Sequence, residues 1–441
     1  MNPHHHIVRQ ALDTIGIEYL NPMQEKAISA IDAGNDVILL APTGSGKTLA
    51  FLLPLLQRLK PGRTHVQALI LVPSRELGLQ IEDVFRGMQT GFKVNCCYGG
   101  HDIQTEINNL SEPPALLVGT PGRVIDHLDR GTLNLDEALT VILDEFDKCL
   151  EYGFQPQMEY ALGRMPSLRQ RVLTSATELR RVPEFVGLKE PVRLDFLAER
   201  ASVEKLQVMM VHSPGADKLE TLLRLICKLG KQVMLVFLNH REAVERVGQY
   251  LDGQGVLHEH FHGGLDQRMR EATLTKFRNG SCRVLVATDL AARGLDIPEI
   301  EAVVHYHLPL TEDAFTHRNG RTARMHAEGA AYLIIGPGEK LPPYVDAGIP
   351  EVSLPDQLRL PAQPAWATLY ISKGKKAKIG KGDIVGFLSK QVGLEKDEVG
   401  LVVVKDECAY AAVSRDKIQQ IILKTKGLKI KGIHVMLEVA R

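Results

Sequence analysis

At 441 residues, with 44% hydrophobic and 24% charged residues, the chain has the make-up of a globular protein long enough for two or three domains with separate cores. No uninterrupted apolar run approaches a membrane span, and the N-terminus lacks the basic-then-apolar pattern of a secretory signal, so a membrane partner is excluded and the expected location is the cytoplasm. Net charge is zero, but residues 366–441 hold 15 Lys+Arg against 8 Asp+Glu while the other 365 residues hold 38 against 45. A basic C-terminal segment on a mildly acidic body fits an appended polyanion-binding module or a solvated lysine-rich surface. Six cysteines without a C-x-x-C pair point to reduced core residues, not to zinc or disulfides.

Residues 7–35 read as helical, broken at Gly16 and near Asn21-Pro22. From Asp36 a strand–loop–helix pattern repeats, with apolar runs at 36–41, 68–72, 115–118, 141–143 and 172–174. Such runs, each followed by a polar turn and a helix-length segment, imply a buried parallel sheet covered on both faces, with ligands beyond the carboxyl ends of its strands. The first run leads into Ala41-Pro42-Thr43-Gly44-Ser45-Gly46-Lys47-Thr48, which has the grammar of a phosphate-binding loop with Ala41 where the strict pattern has glycine. Backbone N–H groups would cradle phosphates, Lys47 would reach the β- and γ-phosphates, and Thr48 would ligate Mg²⁺. Taken alone, the stretch also reads as a glycine-rich turn without a ligand.

A second α/β block starts near residue 205, with strands expected at 233–238, 256–261, 283–288, 302–306 and 330–335 and no second phosphate loop. Residues 336–364, dense in proline and glycine, read as a semi-extended linker. The remaining residues suggest helices on a small sheet, with strands around 369–371, 400–404, 409–413 and 435–439 and helices at 382–392 and 414–425.

Asp144 and Glu145 end a strand and complement the loop: an aspartate holds Mg²⁺ through its waters while the glutamate orients and deprotonates the attacking water. An acidic helix start is the competing reading. Arg318, Arg321 and Arg324 read as sharing one helix, Arg321 and Arg324 on one face, as arginine fingers or as a solvated basic surface.

These motifs, in their order along residues 7–336, resemble those of the DEAD-box RNA helicases. The resemblance implies an α/β fold of two tandem RecA-like parallel-sheet domains, residues 1–202 and 203–336, that bind ATP and Mg²⁺ between them. It implies that Gln24 reads adenine, that Ser175, Thr177 and Asp147 couple hydrolysis to strand separation, and that Asp296 faces the nucleotide with Arg321 and Arg324. It also implies an RNA path over Pro73, Arg75, Gly100, Thr120, Arg123, Asn239, Arg241, Gly263, Gln267, Arg270, Thr288 and Arg293, mostly through phosphate and sugar. After a linker at 337–364, residues 365–441 resemble the small α+β, RRM-like RNA-binding domain of the DbpA-type helicases. The marks are Trp366 to Ile371, Gly374-Lys375-Lys376, Lys378-Ile379, Gly382 to Gly386 and Lys431-Gly432. In that family the domain directs the enzyme to structured RNA of the large ribosomal subunit. Here Lys375, Lys376 and Lys378 would carry RNA binding, with Tyr370 and Tyr410 the aromatics available for stacking.

Three departures matter. Phe146 replaces the alanine that names the family and must find room, Ile17 stands where an aromatic usually stacks on adenine, and Ile7 replaces an upstream phenylalanine. The expected protein is a monomeric ATP-dependent RNA helicase acting in large-subunit assembly. An ATP-gated RNA clamp without strand separation and a DNA helicase on the same core are the rivals.

Overall fold

The computed structural model describes residues 3–42, 44–100, 102–179, 181–197, 206–289, 300–322 and 329–440, with backbone only for 3–6. Contacts divide the chain into two compact units, residues 1–203 with 294–296, and residues 204–293 with 297–441. Among the described residues no helix is long and apolar enough to cross a membrane.

In the first unit the apolar runs become short strands, fully buried at β1, β2, β4 and β5, as a sheet with helices on both faces requires. They are β1 (Val37–Leu40), β2 (Ala68–Leu71), β3 (Val94–Cys97), β4 (Leu116–Gly119), β5 (Thr140–Leu143), β6 (Gln170–Ser175) and β7 (Val192–Asp195). All pairings are parallel and the order is β3-β4-β2-β5-β6-β1-β7. The strands that sequence reading missed, β3 and β7, are the two edges. An edge strand is covered less completely, so Val-Asn-Cys-Cys and Val-Arg-Leu-Asp carry polar residues that hide their strand character.

This order separates two sets of loops. The carboxyl ends of the neighbours β5, β6 and β1 lead into Asp144, Ser175-Ala176-Thr177 and the loop at residue 41. Those of β3, β4 and β2 lead into Gly99-Gly100, Thr120 and Pro73. One half of the sheet rim thus carries the phosphate-type residues, and the other half carries glycines and arginines suited to a backbone of sugar and phosphate.

The second unit begins with a six-stranded parallel sheet of β8 (Leu206–His212), β9 (Met234–Leu238), β10 (Glu259–Phe261), β11 (Val284–Thr288), β12 (Ala302–His305) and β13 (Gly329–Ile335), ordered β10-β11-β9-β12-β13-β8. Again an edge strand, β8, was invisible in the sequence, being mostly half-buried. The Pro/Gly-rich segment runs through several turns and is held against this unit. Met210 N–H donates to Pro350 O (2.9 Å), Val352 N–H donates to Met210 O (2.8 Å), and Val352 and Leu354 pack on the core.

The C-terminal part runs strand, helix, strand, strand, helix, strand, the split βαβ pattern. Its antiparallel sheet joins β14 (Trp366–Ile371), β15 (Val399–Val404) and β16 (Ala409–Ser414); a small separate ladder pairs β17 (Lys429–Ile430) with β18 (Ile433–His434), and β19 (Leu437–Val439) closes the main sheet in the order β15-β16-β14-β19. The expected helix at 382–392 is α-helical only over Lys381–Phe387 and then loosens into a π turn.

This sheet corrects the expectation for Tyr370 and Tyr410. Both rings are buried, 9% and 1% exposed, in a cluster with Cys408 and with Ala272 of the helix Gln267–Arg278. The Arg268 guanidinium stacks over the Tyr370 ring at 4.8 Å. Around this patch the Thr368 hydroxyl is shared with Asn279 and Ser281, and Arg415 donates to Ser281 O and Trp366 O. The two aromatics that sequence reading left available for stacking are covered by the helix Gln267–Arg278.

Candidate functional site

The loop after β1 is tied to the helix before it. Asn21 caps the helix Pro22–Asp32 in a reciprocal capping box with Gln24, then donates from Nδ2 to Ser45 O (2.9 Å), while Gln24 Nε2 donates to Gly46 O (3.2 Å). Gly46 has φ +88°, which favours glycine, and a Cβ there would lie 2.4 Å from Gln24 Nε2, so any other residue would also push the Gln24 amide from its place. Lys47 opens the helix Lys47–Arg58 and curls its ammonium onto Ala41 O (2.6 Å) and Pro42 O (2.9 Å). Among the described residues the Ser45 hydroxyl is buried without a hydrogen-bond partner. A ring of loop carbonyls holding a lysine and an orphan hydroxyl beside a helix N-terminus is what a phosphate chain would reorganise. Thr43 lies outside the described residues.

Asp144 is 3% exposed, and burial is the main influence on its carboxyl, raising its pKa, with Thr174 and Lys47 pulling the other way. Its Oδ1 accepts from the Thr174 hydroxyl and from Glu145 N–H (3.1 Å). Glu145 adopts left-handed backbone, φ +47°, as the N-cap of the helix Phe146–Glu151. A non-glycine residue held there costs about 1–3 kcal/mol, and such strain gathers at functional sites. Phe146 finds its room in the core: it is 0% exposed, in one cluster with Leu40, Leu143, Cys149 and Leu173.

The coupling residues meet directly. Ser175 Oγ donates to Thr177 O (2.7 Å), Thr177 N–H donates back to Ser175 Oγ (3.1 Å), and the Thr177 hydroxyl donates to Asp147 Oδ2 (2.9 Å). The acidic turn and the Ser-Ala-Thr turn are therefore joined by a direct side-chain hydrogen bond. Thr174, which sequence reading passed over, joins them a second time.

On the other half of the rim, Pro73 and Arg75 follow β2, Gly100 (φ +93°) follows β3, and Thr120 and Arg123 follow β4. The Arg75 guanidinium stacks on Tyr98 at 5.7 Å, and Arg123 donates to Tyr98 O (3.0 Å) and pairs with buried Glu106 (3.2 Å). Glu106 also binds Tyr98 N–H (2.9 Å) and His127 Nε2 (2.6 Å), so one carboxylate fixes the whole turn. Sequence reading missed this pair because a glutamate and a histidine 21 residues apart show no pattern.

In the second unit Asn239 and Arg241 follow β9, Gly263 follows β10, and Thr288 ends β11. Gln267 and Arg270 lie in the first turn of the helix Gln267–Arg278, Arg270 stacked on Phe261 at 4.7 Å. Asn239 is committed to the protein: its Oδ1 accepts from Arg318 (2.8 Å) and its Nδ2 donates to Leu308 O (3.3 Å). Arg318, 2% exposed, grips Asp289 with two hydrogen bonds of 2.6 and 2.7 Å and donates to His307 O (2.7 Å). Beside it His305 is held neutral, its pKa pushed down to about 3 by burial and by Arg318. The expectation of three arginines on one helix needs correction. The helix is Glu312–Asn319, and Arg321 follows it, where Thr322 bridges to Ile300. Arg321 is 3% exposed. Arg293, Asp296 and Arg324 lie outside the described residues.

Lys375, Lys376 and Lys378 form an exposed turn after β14, in which Lys378 takes φ +57° and its carbonyl accepts from Lys431 Nζ (3.0 Å). Among them Lys376 also pairs with Glu407.

Residues 21–185 match the DEAD/DEAH box helicase family, 217–326 the helicase conserved C-terminal domain and 368–439 the DbpA RNA binding domain. The ATP-dependent RNA helicase DbpA of Escherichia coli K12 is 34% identical over 433 residues, covering 96% of this chain and 94% of that protein. The DEAD-box helicase CshA of Geobacillus kaustophilus is 36% identical over 337 residues, 75% of this chain and 72% of its own. Among solved structures, Saccharomyces cerevisiae Dbp5 bound to RNA and ADP BeF3 aligns with TM-score 0.67 at 25% identity, over 76% of this chain and 88% of that one. The chain belongs to the DEAD-box ATP-dependent RNA helicases and carries a DbpA-type RNA-binding domain; it is an RNA-dependent ATPase.

Proposed function

We propose that this helicase separates short RNA duplexes in structured RNA of the large ribosomal subunit, brought there by its C-terminal domain during subunit assembly in the cytoplasm. The observation behind the chemistry is that the loop at 41–48, Asp144-Glu145 and Ser175–Thr177 occupy the ends of three adjacent strands, the latter two joined by the Thr177–Asp147 hydrogen bond. Lys47 leaves its carbonyls for the β- and γ-phosphates, with backbone N–H groups of the loop taking the remaining oxygens. Glu145 orients and deprotonates the attacking water, and Arg321 with Arg324 supplies positive charge to the leaving phosphoryl group. Gln24, already bound to the loop through Gly46 O, selects adenine. Ile17 is half-buried and Tyr19 is 87% exposed, so adenine has an apolar contact at Ile17 and a free ring at Tyr19.

The donor set fits magnesium. A buried carboxylate at Asp144 and a hydroxyl at Thr48 in the first helical turn are hard oxygen ligands beside a phosphate loop. Held there by Asp144 and Thr48, the ion would neutralise phosphate charge.

RNA targeting is supported by the DbpA RNA binding match and by a relative that is similar along its whole length. With the tyrosine face covered, the exposed lysine turn at 375–378 offers a surface for phosphate contacts. Changing Lys375, Lys376 and Lys378 together to alanine is expected to lower the slope of log affinity against log salt by about 2, at roughly 0.7 per lost single-strand contact. Preference for ribosomal over random RNA should fall with it. An unchanged slope and preference would place the RNA elsewhere.

A further inference from the structure

We propose that Thr174 is a positioning residue for magnesium-dependent nucleotide binding, acting through Asp144. The inference rests on the reading of Asp144 as the residue that holds the ion.

Thr174 lies on β6, paired with Leu39 of β1, one step before Ser175. It is 0% exposed, and its one hydroxyl makes both contacts open to it in the acidic turn. It donates its proton to Asp144 Oδ1 and accepts from Glu145 N–H at 3.2 Å. The same Glu145 N–H also reaches Asp144 Oδ1 at 3.1 Å, so hydroxyl, carboxylate and backbone amide close a small ring. With Oδ1 holding two donors, the carboxylate plane is set and Oδ2 remains for the hydration shell of a cation. A β-branched side chain suits the task because its χ1 is stiff and the hydroxyl cannot swing away.

The ring reaches two residues of unlike duty, the ion's carboxylate and the backbone of the glutamate that activates water. Nothing about a threonine inside an apolar strand announces this, since it also reads as an ordinary β-branched filler. The side chain is in the wrong place to touch substrate itself: its hydroxyl is consumed by the protein.

The test measures binding of a fluorescent N-methylanthraniloyl ADP to the full chain, with Mg²⁺ and with EDTA. Thr174→Val keeps shape and removes the hydroxyl. It is expected to lose about tenfold or more of the affinity gained on adding Mg²⁺, the scale of one hydrogen bond to a charged group, while its affinity in EDTA stays at the wild-type value. Thr174→Ser, which keeps the hydroxyl, should restore the magnesium-dependent gain. Equal loss in EDTA, a full magnesium gain in Thr174→Val, or a serine variant as defective as valine would each overturn the proposal. Should Thr174→Val not fold, Thr174→Ala takes its place, since it also lacks the donor, and a full magnesium gain there overturns the proposal as well. If the wild-type chain gains no affinity from Mg²⁺, the reading of the ion site fails instead.

Discussion

Restoring the family's alanine by Phe146→Ala is expected to destabilise the first domain by about 3–5 kcal/mol, the range for truncating a buried phenylalanine. The ring is 0% exposed and belongs to the core cluster that includes Leu40, Leu143 and Leu173, from the strands that end at the phosphate loop, the acids and the Ser-Ala-Thr turn. Deleting it leaves a cavity behind the Phe146–Glu151 helix, whose N-cap is the strained Glu145. Urea unfolding with an ATPase assay on the same samples checks this. A loss under 1 kcal/mol, or a faster ATPase, would mean that the ring is poorly packed and that the departure from the family pattern is a burden on catalysis.

Glu145→Gln is expected to lower kcat for RNA-stimulated ATP hydrolysis by about 10²–10⁴-fold, the usual contribution of a general base. The backbone that binds the nucleotide stays intact, because Glu145 N–H keeps its bonds to Asp144 and Thr174 and only the basic oxygen is exchanged for an amide. ATP-bound enzyme should therefore hold RNA for longer than wild type, since hydrolysis is the step that releases it. Filter binding in ATP, chased with unlabelled RNA, reads this directly. Rapid RNA release by the variant in ATP would contradict the assignment.

Sequence legibility follows burial. Central strands such as Val37–Leu40 and Val284–Thr288 show as apolar runs because both faces are covered, whereas the edges β3, β7 and β8 are covered less and mix in polar residues. Short-range chemistry was readable for the same reason. Lys47, Asp144 and the Ser175–Thr177 turn each follow a buried strand, at the carboxyl ends where a parallel sheet places its ligands.

What stayed hidden depends on partners distant in the chain. Tyr370 and Tyr410 look available for stacking until Ala272 and Arg268 cover them, and no local pattern encodes that meeting. Arg321 reads as helical by spacing, but the helix stops at Asn319. Asn239 looks free for RNA, yet Arg318 and Leu308 claim its side chain. Thr174 is the same kind of case at shorter range, since its role exists only because β6 lies beside β5.

The central claim is an ATPase switched on by RNA and steered by the C-terminal domain. Its most direct test is steady-state ATP hydrolysis by the full chain with no RNA, with random RNA and with large-subunit ribosomal RNA at equal nucleotide concentration. Hydrolysis should be slow without RNA, rise with random RNA and rise further, at lower RNA concentration, with the ribosomal RNA. The same rate in all three conditions would contradict the account.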